Sequence, residues 1–179
     1  MKKGFLQSIA LILCCLFAIV NLTACNGYNR IMYEHLGDIE NYDTYTVAIK
    51  GIYVRNDDGK PEEYDQTIHG EEALRGEVLL GIAPIGNFSH EYRVANGENT
   101  ESMVLLEVIP ENSRLLADSG FYDHFTVGET VEIQASDWIY MDGDFYYVIG
   151  LKYDGIEYLN SEEGLKNMVE MMKKNRSLF

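Results

Sequence analysis

Residues 102–109 read Ser102-Met103-Val104-Leu105-Leu106-Glu107-Val108-Ile109 and run directly into Pro110. The apolar, β-branched run reads as a strand. Pro110 then sits at a helix-starting position, and Leu115-Leu116-Ala117 precede Gly120, which implies one or two helical turns. This strand-then-short-helix step lies in the middle of a longer series of strands.

Toward the N-terminus, residues 44–55 (TYTVAIKGIYVR) form a strand by composition, closed by a turn at Asn56-Asp57-Asp58-Gly59. Residues 60–76 are polar, and Pro61 argues against a central strand there. Glu77 to Ile82 is a short, buried-type strand, and residues 84–100 read as a long loop around Pro84, Gly86 and Asn96-Gly97. Toward the C-terminus, Gly128-Glu129 turns the chain into a strand carrying Val131 and Ile133. Residues 137–149 hold a hairpin around Asp142-Gly143, and Asp154-Gly155 turns into a returning strand, Ile156 to Leu159. A helix ends the chain over about residues 161–175. Ser161 is its expected cap, Glu162 and Glu163 lie in its first turn, and Leu165, Met168, Val169 and Met172 form one apolar face.

The order is therefore three strands, a short helix, two strands and a terminal helix. It resembles the OB-fold, a five-stranded Greek-key barrel whose helix commonly lies between the third and fourth strands. The phrase Val127-Gly128-Glu129-Thr130-Val131-Glu132-Ile133 looks like the entry to that fold's fourth strand. The resemblance spans about residues 44–153, and the long segment between the first two strands departs from it. It implies a mainly β domain, a small antiparallel OB-like barrel with a C-terminal α-helix. An antiparallel β-sandwich is the alternative arrangement.

The first 25 residues carry a different message. Lys2 and Lys3 precede an apolar stretch, Ile9 to Val20, in which only Cys14 and Cys15 are not simple hydrophobes. As a helix this stretch reaches about 18 Å, at about 1.5 Å per residue, against a hydrocarbon core about 30 Å thick. It is a secretory signal rather than a span. The cleavage region Leu22-Thr23-Ala24-Cys25 resembles the lipobox of bacterial lipoproteins at all four positions. The resemblance implies cleavage before Cys25, a diacylglyceryl group on the Cys25 sulfur and a domain held on the outer face of a membrane. An ordinary secretory cleavage site wants small residues, and Leu22 is too large for one of them. The expected organisation is a signal peptide at 1–24, a lipidated N-terminus and tether at 25–43, and one domain at 44–179. A short helix ending at Gly37 fits the spacing of Tyr28, Ile31, Met32, His35 and Leu36.

The chain is acidic, with a formal net charge of −15, and loses only two lysines and no acid with the signal. Such a surface repels nucleic acid and anionic headgroups. Of the three cysteines, Cys14 and Cys15 leave with the signal and Cys25 takes lipid. The domain then has no disulfide, no redox pair and no thiolate metal site.

The aromatic hairpin is the candidate binding surface. A two-residue Asp142-Gly143 loop pairs Tyr140 with Phe145 and Trp138 with Tyr147, which places these four residues on one face. Ile139, Met141, Tyr146 and Val148 line the other. Clustered aromatics usually pack a core. The functional alternative is a stacking platform for sugar rings or a partner's aromatic residues, because OB-like proteins bind oligosaccharides, nucleic acids or proteins.

The histidines His35, His69, His90 and His124 show no metal-binding spacing. The Asp-rich turns lack the ligand pattern of a calcium loop. No G-x-S-x-G and no phosphate-binding glycine loop is present. No cofactor or metal is expected. The resulting expectation is a non-enzymatic binding or accessory domain of the cell envelope. It is tethered to the membrane through Cys25, with an envelope protein or glycan as partner and no nucleic acid. The rivals are an envelope hydrolase using two carboxylates and a structural or inhibitory lipoprotein acting by protein contact.

Overall fold

The computed structural model describes residues 39–85, 92–96, 99–135 and 146–176. They belong to a compact unit that begins at Ile39, five residues before the expected boundary. Cys25, the expected signal and tether helix, and residues 136–145 of the expected aromatic hairpin lie outside the described residues.

The chain is mainly β. The strands are β1 (Asp43–Arg55), β2 (Pro61–Glu63), β3 (Val78–Ile82), β4 (Tyr92–Asn96), β5 (Asn99–Val108), β6 (Thr130–Ala135), β7 (Tyr146–Tyr153) and β8 (Ile156–Leu159). The helices are α1 (Gln66–His69), α2 (Pro110–Asp118), α3 (Phe121–His124) and the terminal α4 (Ser161–Arg176). β1 is shared. Its first half pairs with β6 and its second half with β3, with a register shift between Ile49 and Gly51 where it bends. β3 continues to β5, and β6 to β7. A short parallel contact between β5 and β7, Leu106 beside Tyr146 and Glu107 beside Tyr147, closes the strands into an uneven ring. This junction is parallel, whereas the other strand pairings among the described residues are antiparallel. The strands also form one continuous ring rather than the two facing sheets of a sandwich.

Alternate residues of each strand fill the ring: Leu80, Ile82, Leu106, Val108, Ile133 and Val148 are all essentially inaccessible. One end is stopped by α2 and α3. Pro110 starts α2, and Leu116, Phe121 and Phe125 enter the core. The rings of Phe121 and Phe125 stack at 5.0 Å, and Tyr158 meets Phe121 edge-on at 5.4 Å. α4 lies along β7 so closely that a Cβ on Gly164 would come 1.9 Å from the Ile149 carbonyl oxygen. Leu165, Met168 and Met172 are buried beneath it, each stabilising by about 2 kcal/mol.

Two local expectations need correction. β4 lies inside the expected loop at 84–100; it pairs with β5 from Tyr92 opposite Met103 to Asn96 opposite Asn99. Asn96 is thus the last paired residue of a hairpin, opposite Asn99. The cap of α4 is Asn160, whose side-chain oxygen accepts from the amides of Glu162 and Glu163 at 3.1 and 3.3 Å. An amide oxygen reaches both orphan donors, whereas Ser161 is already the first helical residue. The Asp142-Gly143 loop itself lies outside the described residues; the strands that lead to it pair with a register shift, Gln134 facing Gly150 and Ala135 facing Val148. The extra residue, Ile149, is the one whose carbonyl meets α4. The Asp154-Gly155 turn does occur as expected: both residues have positive φ, 50° and 75°, and Tyr153 faces Ile156 across it.

Candidate functional site

Of the four candidate aromatic residues, Tyr147 is described. It lies on β7 with 8% of its surface exposed. Trp138, Tyr140 and Phe145 lie outside the described residues. Tyr146 and Tyr147 are both buried, as expected for a strand covered on two faces.

The ring places Tyr147 in a row that sequence alone did not reveal. Tyr53 faces Leu79, Leu79 faces Glu107, and Glu107 faces Tyr147, across β1, β3, β5 and β7. These side chains point outward, opposite to the interior set. Tyr53 lies over Gly51 and Gly81; a Cβ on either would come within 2.8 Å of its ring. The Tyr53 hydroxyl donates to the Met103 sulfur at 3.3 Å. Isolated glycines inside strands signal such close approach, and Gly51 and Gly81 carried that signal.

Charge gathers at one end of this row. Glu107 is the one buried acid among the described residues, at 7% exposure. Arg55 reaches it at 4.0 Å, and its Nε donates to Glu77 while Nη1 donates to the Gly59 carbonyl at 3.0 Å. The turn that supplies Gly59 is built by Asn56, whose side chain accepts from the Asp58 and Lys60 amides. Asp57 and Asp58 therefore follow from turn chemistry. One guanidinium between two carboxylates on the outer surface offsets one of their two charges.

A polar row runs across another part of the outer surface. Thr46 faces Glu132, Glu132 faces Lys152, and Lys152 faces Glu157 across β1, β6, β7 and β8. At the nearby ring end, the Tyr153 hydroxyl donates to Glu129, and this bond pushes the phenol up to about 12. Burial raises Tyr42 and Tyr122 as well. Asp65 is lowered by hydrogen bonds from Thr67, as suits the cap of α1.

His69 and His124 keep local company: their Nδ1 atoms lie 3.1 Å from the Asp65 carbonyl and 2.7 Å from the Gly120 carbonyl. His35 and His90 lie outside the described residues. No group of three or more His, Cys, Asp or Glu side chains able to hold a metal occurs among the described residues. None of the described helices is long and apolar enough to cross a membrane.

No family model, curated protein or solved structure matches this chain. Its functional reading rests on its own residues and geometry.

Proposed function

We propose that this chain is a lipoprotein: cut before Cys25, lipidated there, and displaying an OB-like binding domain outside the cytoplasm. Leu22-Thr23-Ala24-Cys25 behind an apolar signal is the observation that carries the anchor. Two acyl chains give stable attachment where one is marginal.

The OB-like reading is supported by strand connectivity. β1, β3 and β5 follow one another antiparallel, α2 comes next, and β6 returns to β1. β7 then joins β6 to β5, the latter in parallel. The terminal helix and β2, β4 and β8 are additions to that plan. Binding in OB-folds uses the second and third strands and the loops after the first and fourth. In this chain those are β3, β5, residues 56–77 and residues 136–145, which contain Trp138, Tyr140 and Phe145. The partner is an envelope protein or glycan, and the acidic surface disfavours nucleic acid.

A second reading, an envelope hydrolase, is favoured by Glu77 and Glu107 converging on Arg55. Crosslinking in intact cells followed by identification of the attached molecules separates the two. Recovery of a stable partner supports the binding domain. Cell-wall hydrolysis lost in Glu107→Gln supports the enzyme.

A further inference from the structure

The polar half of the outer surface has the form of a small ligand site. β1, β6 and β7 present two successive rungs there. The first is Thr46, Glu132 and Lys152. The second pairs Ala48 with Thr130, and Asp154 in the turn after β7 borders the same depression. Strands lie about 4.8 Å apart and alternate residues about 6.7 Å apart, so this patch measures about 10 by 7 Å. Thr46, Ala48 and Thr130 are exposed and short, so the floor sits low between taller charged neighbours. A depression of ≈ 260 Å³ results, lined by Thr46, Thr130, Glu132, Lys152, Asp154 and Gly155. A smaller hollow of ≈ 40 Å³ shares Glu132 and Lys152 and extends toward Thr44, Gln134 and Ser161.

We propose that this groove binds a hydroxyl-rich, uncharged glycan, one sugar ring in the larger depression and the chain continuing over the smaller. The proposal rests on the reading of the chain as an extracytoplasmic binding domain, and it names a ligand class and a face for it. The donor set suits sugar hydroxyls. Glu132 and Asp154 accept, the Lys152 ammonium donates, and the two threonine hydroxyls do both. Lys152 lies 3.6 Å from Glu132, so a donor and an acceptor stand side by side above the floor. The backbone beneath is paired on both sides of β6, which fixes the spacing of the polar groups. Carboxylates outnumber the single ammonium, so a polyanionic glycan is rejected by like charge. The depression lies below the usual range for drug-sized ligands, about 300–1,000 Å³, as suits a weak site engaged repeatedly along a polymer.

The test is an NMR titration of the mature full-length chain in detergent micelles. The probes are the uncharged N-acetylglucosamine tetrasaccharide, soluble uncharged glycan released from cell wall, and a uronate oligosaccharide. The expected result is saturable shifts of Thr46, Thr130, Glu132 and Lys152 with an uncharged probe and none with the uronate. Thr46→Val combined with Thr130→Val, isosteric changes at exposed strand positions, should weaken binding at least fivefold and leave the melting temperature in place. Undiminished binding in that variant, or shifts confined to other strands, would assign glycan to another face and overturn the groove while leaving the binding-domain reading standing. Absence of binding by both uncharged probes overturns the groove as well. The anchor reading is untouched by either result, because it is read from Cys25.

Discussion

Glu107 on β5 stands in register with Tyr147 on β7, at the short parallel contact that closes the ring of strands. Glu107 is buried there with its carboxylate 4.0 Å from the Arg55 guanidinium. A buried acid beside the narrowest junction of a ring needs a cation in place, because an uncompensated charge in such a position is costly.

Arg55→Ala should therefore cost about 2 kcal/mol, since it removes the bonds to Glu77 and Gly59 and the ion pair with the buried Glu107. Adding Glu107→Gln to that variant should recover part of the loss. Urea denaturation of the two single variants and the double variant measures the coupling. Strict additivity would show that Arg55 and Glu107 do not interact.

Gly164→Ala should be the most damaging small change in α4. The new methyl group would fall 1.9 Å from the Ile149 carbonyl oxygen, and a backbone atom cannot move aside. A loss of about 3 kcal/mol is expected, more than offsetting the gain in helix propensity. Unchanged thermal stability would mean that α4 does not lie against β7.

Asn112 is fully buried and joins three elements. Its amide donates to the carbonyls of Val148 at 3.4 Å and Gly164 at 3.2 Å, and its oxygen accepts from Asn167 at 3.0 Å. Asn112→Ala leaves those groups without their partner and should cost about 2 kcal/mol. Hydrogen exchange should then speed up in α4 before it does in β3. Equal protection of α4 in the variant and the unchanged protein would contradict this.

Alkaline pH probes the Tyr153 bond to Glu129. The unfolded chain releases this proton at the ordinary tyrosine value of 10.0, the folded chain at about 12. The stabilising effect is complete below about pH 10. It is lost as pH rises through about 12, because the folded state then binds more protons than the unfolded one. Tyr153→Phe should flatten the fall in denaturation midpoint over that window. An identical fall in both proteins would refute the assignment.

The parts of this fold set by short-range chemistry were readable from residues alone. Asp154-Gly155 demands two positive φ angles, Pro110 suits a first helical turn, and the apolar run at 78–82 needs burial on both faces. What escaped depends on distant partners. β4 was hidden because Asn96-Gly97 marks a loop and a hairpin alike, and pairing with β5 decides between them. Asn160 and Ser161 are both good caps, and helix geometry chose the first. The outward row from Tyr53 to Tyr147 exists through three strand registers and one parallel junction, none of them local. For the candidate face, the sequence singled out Tyr147 but offered no sign that Glu107 and Arg55 would meet beside it.

The central claim concerns location, and the intact mass of the protein recovered from the membrane fraction tests it most directly. The account predicts a chain that begins at Cys25 and carries a diacylglyceryl group on its sulfur. A membrane-bound chain that retains residues 1–24, or one cleaved without added lipid, would contradict it.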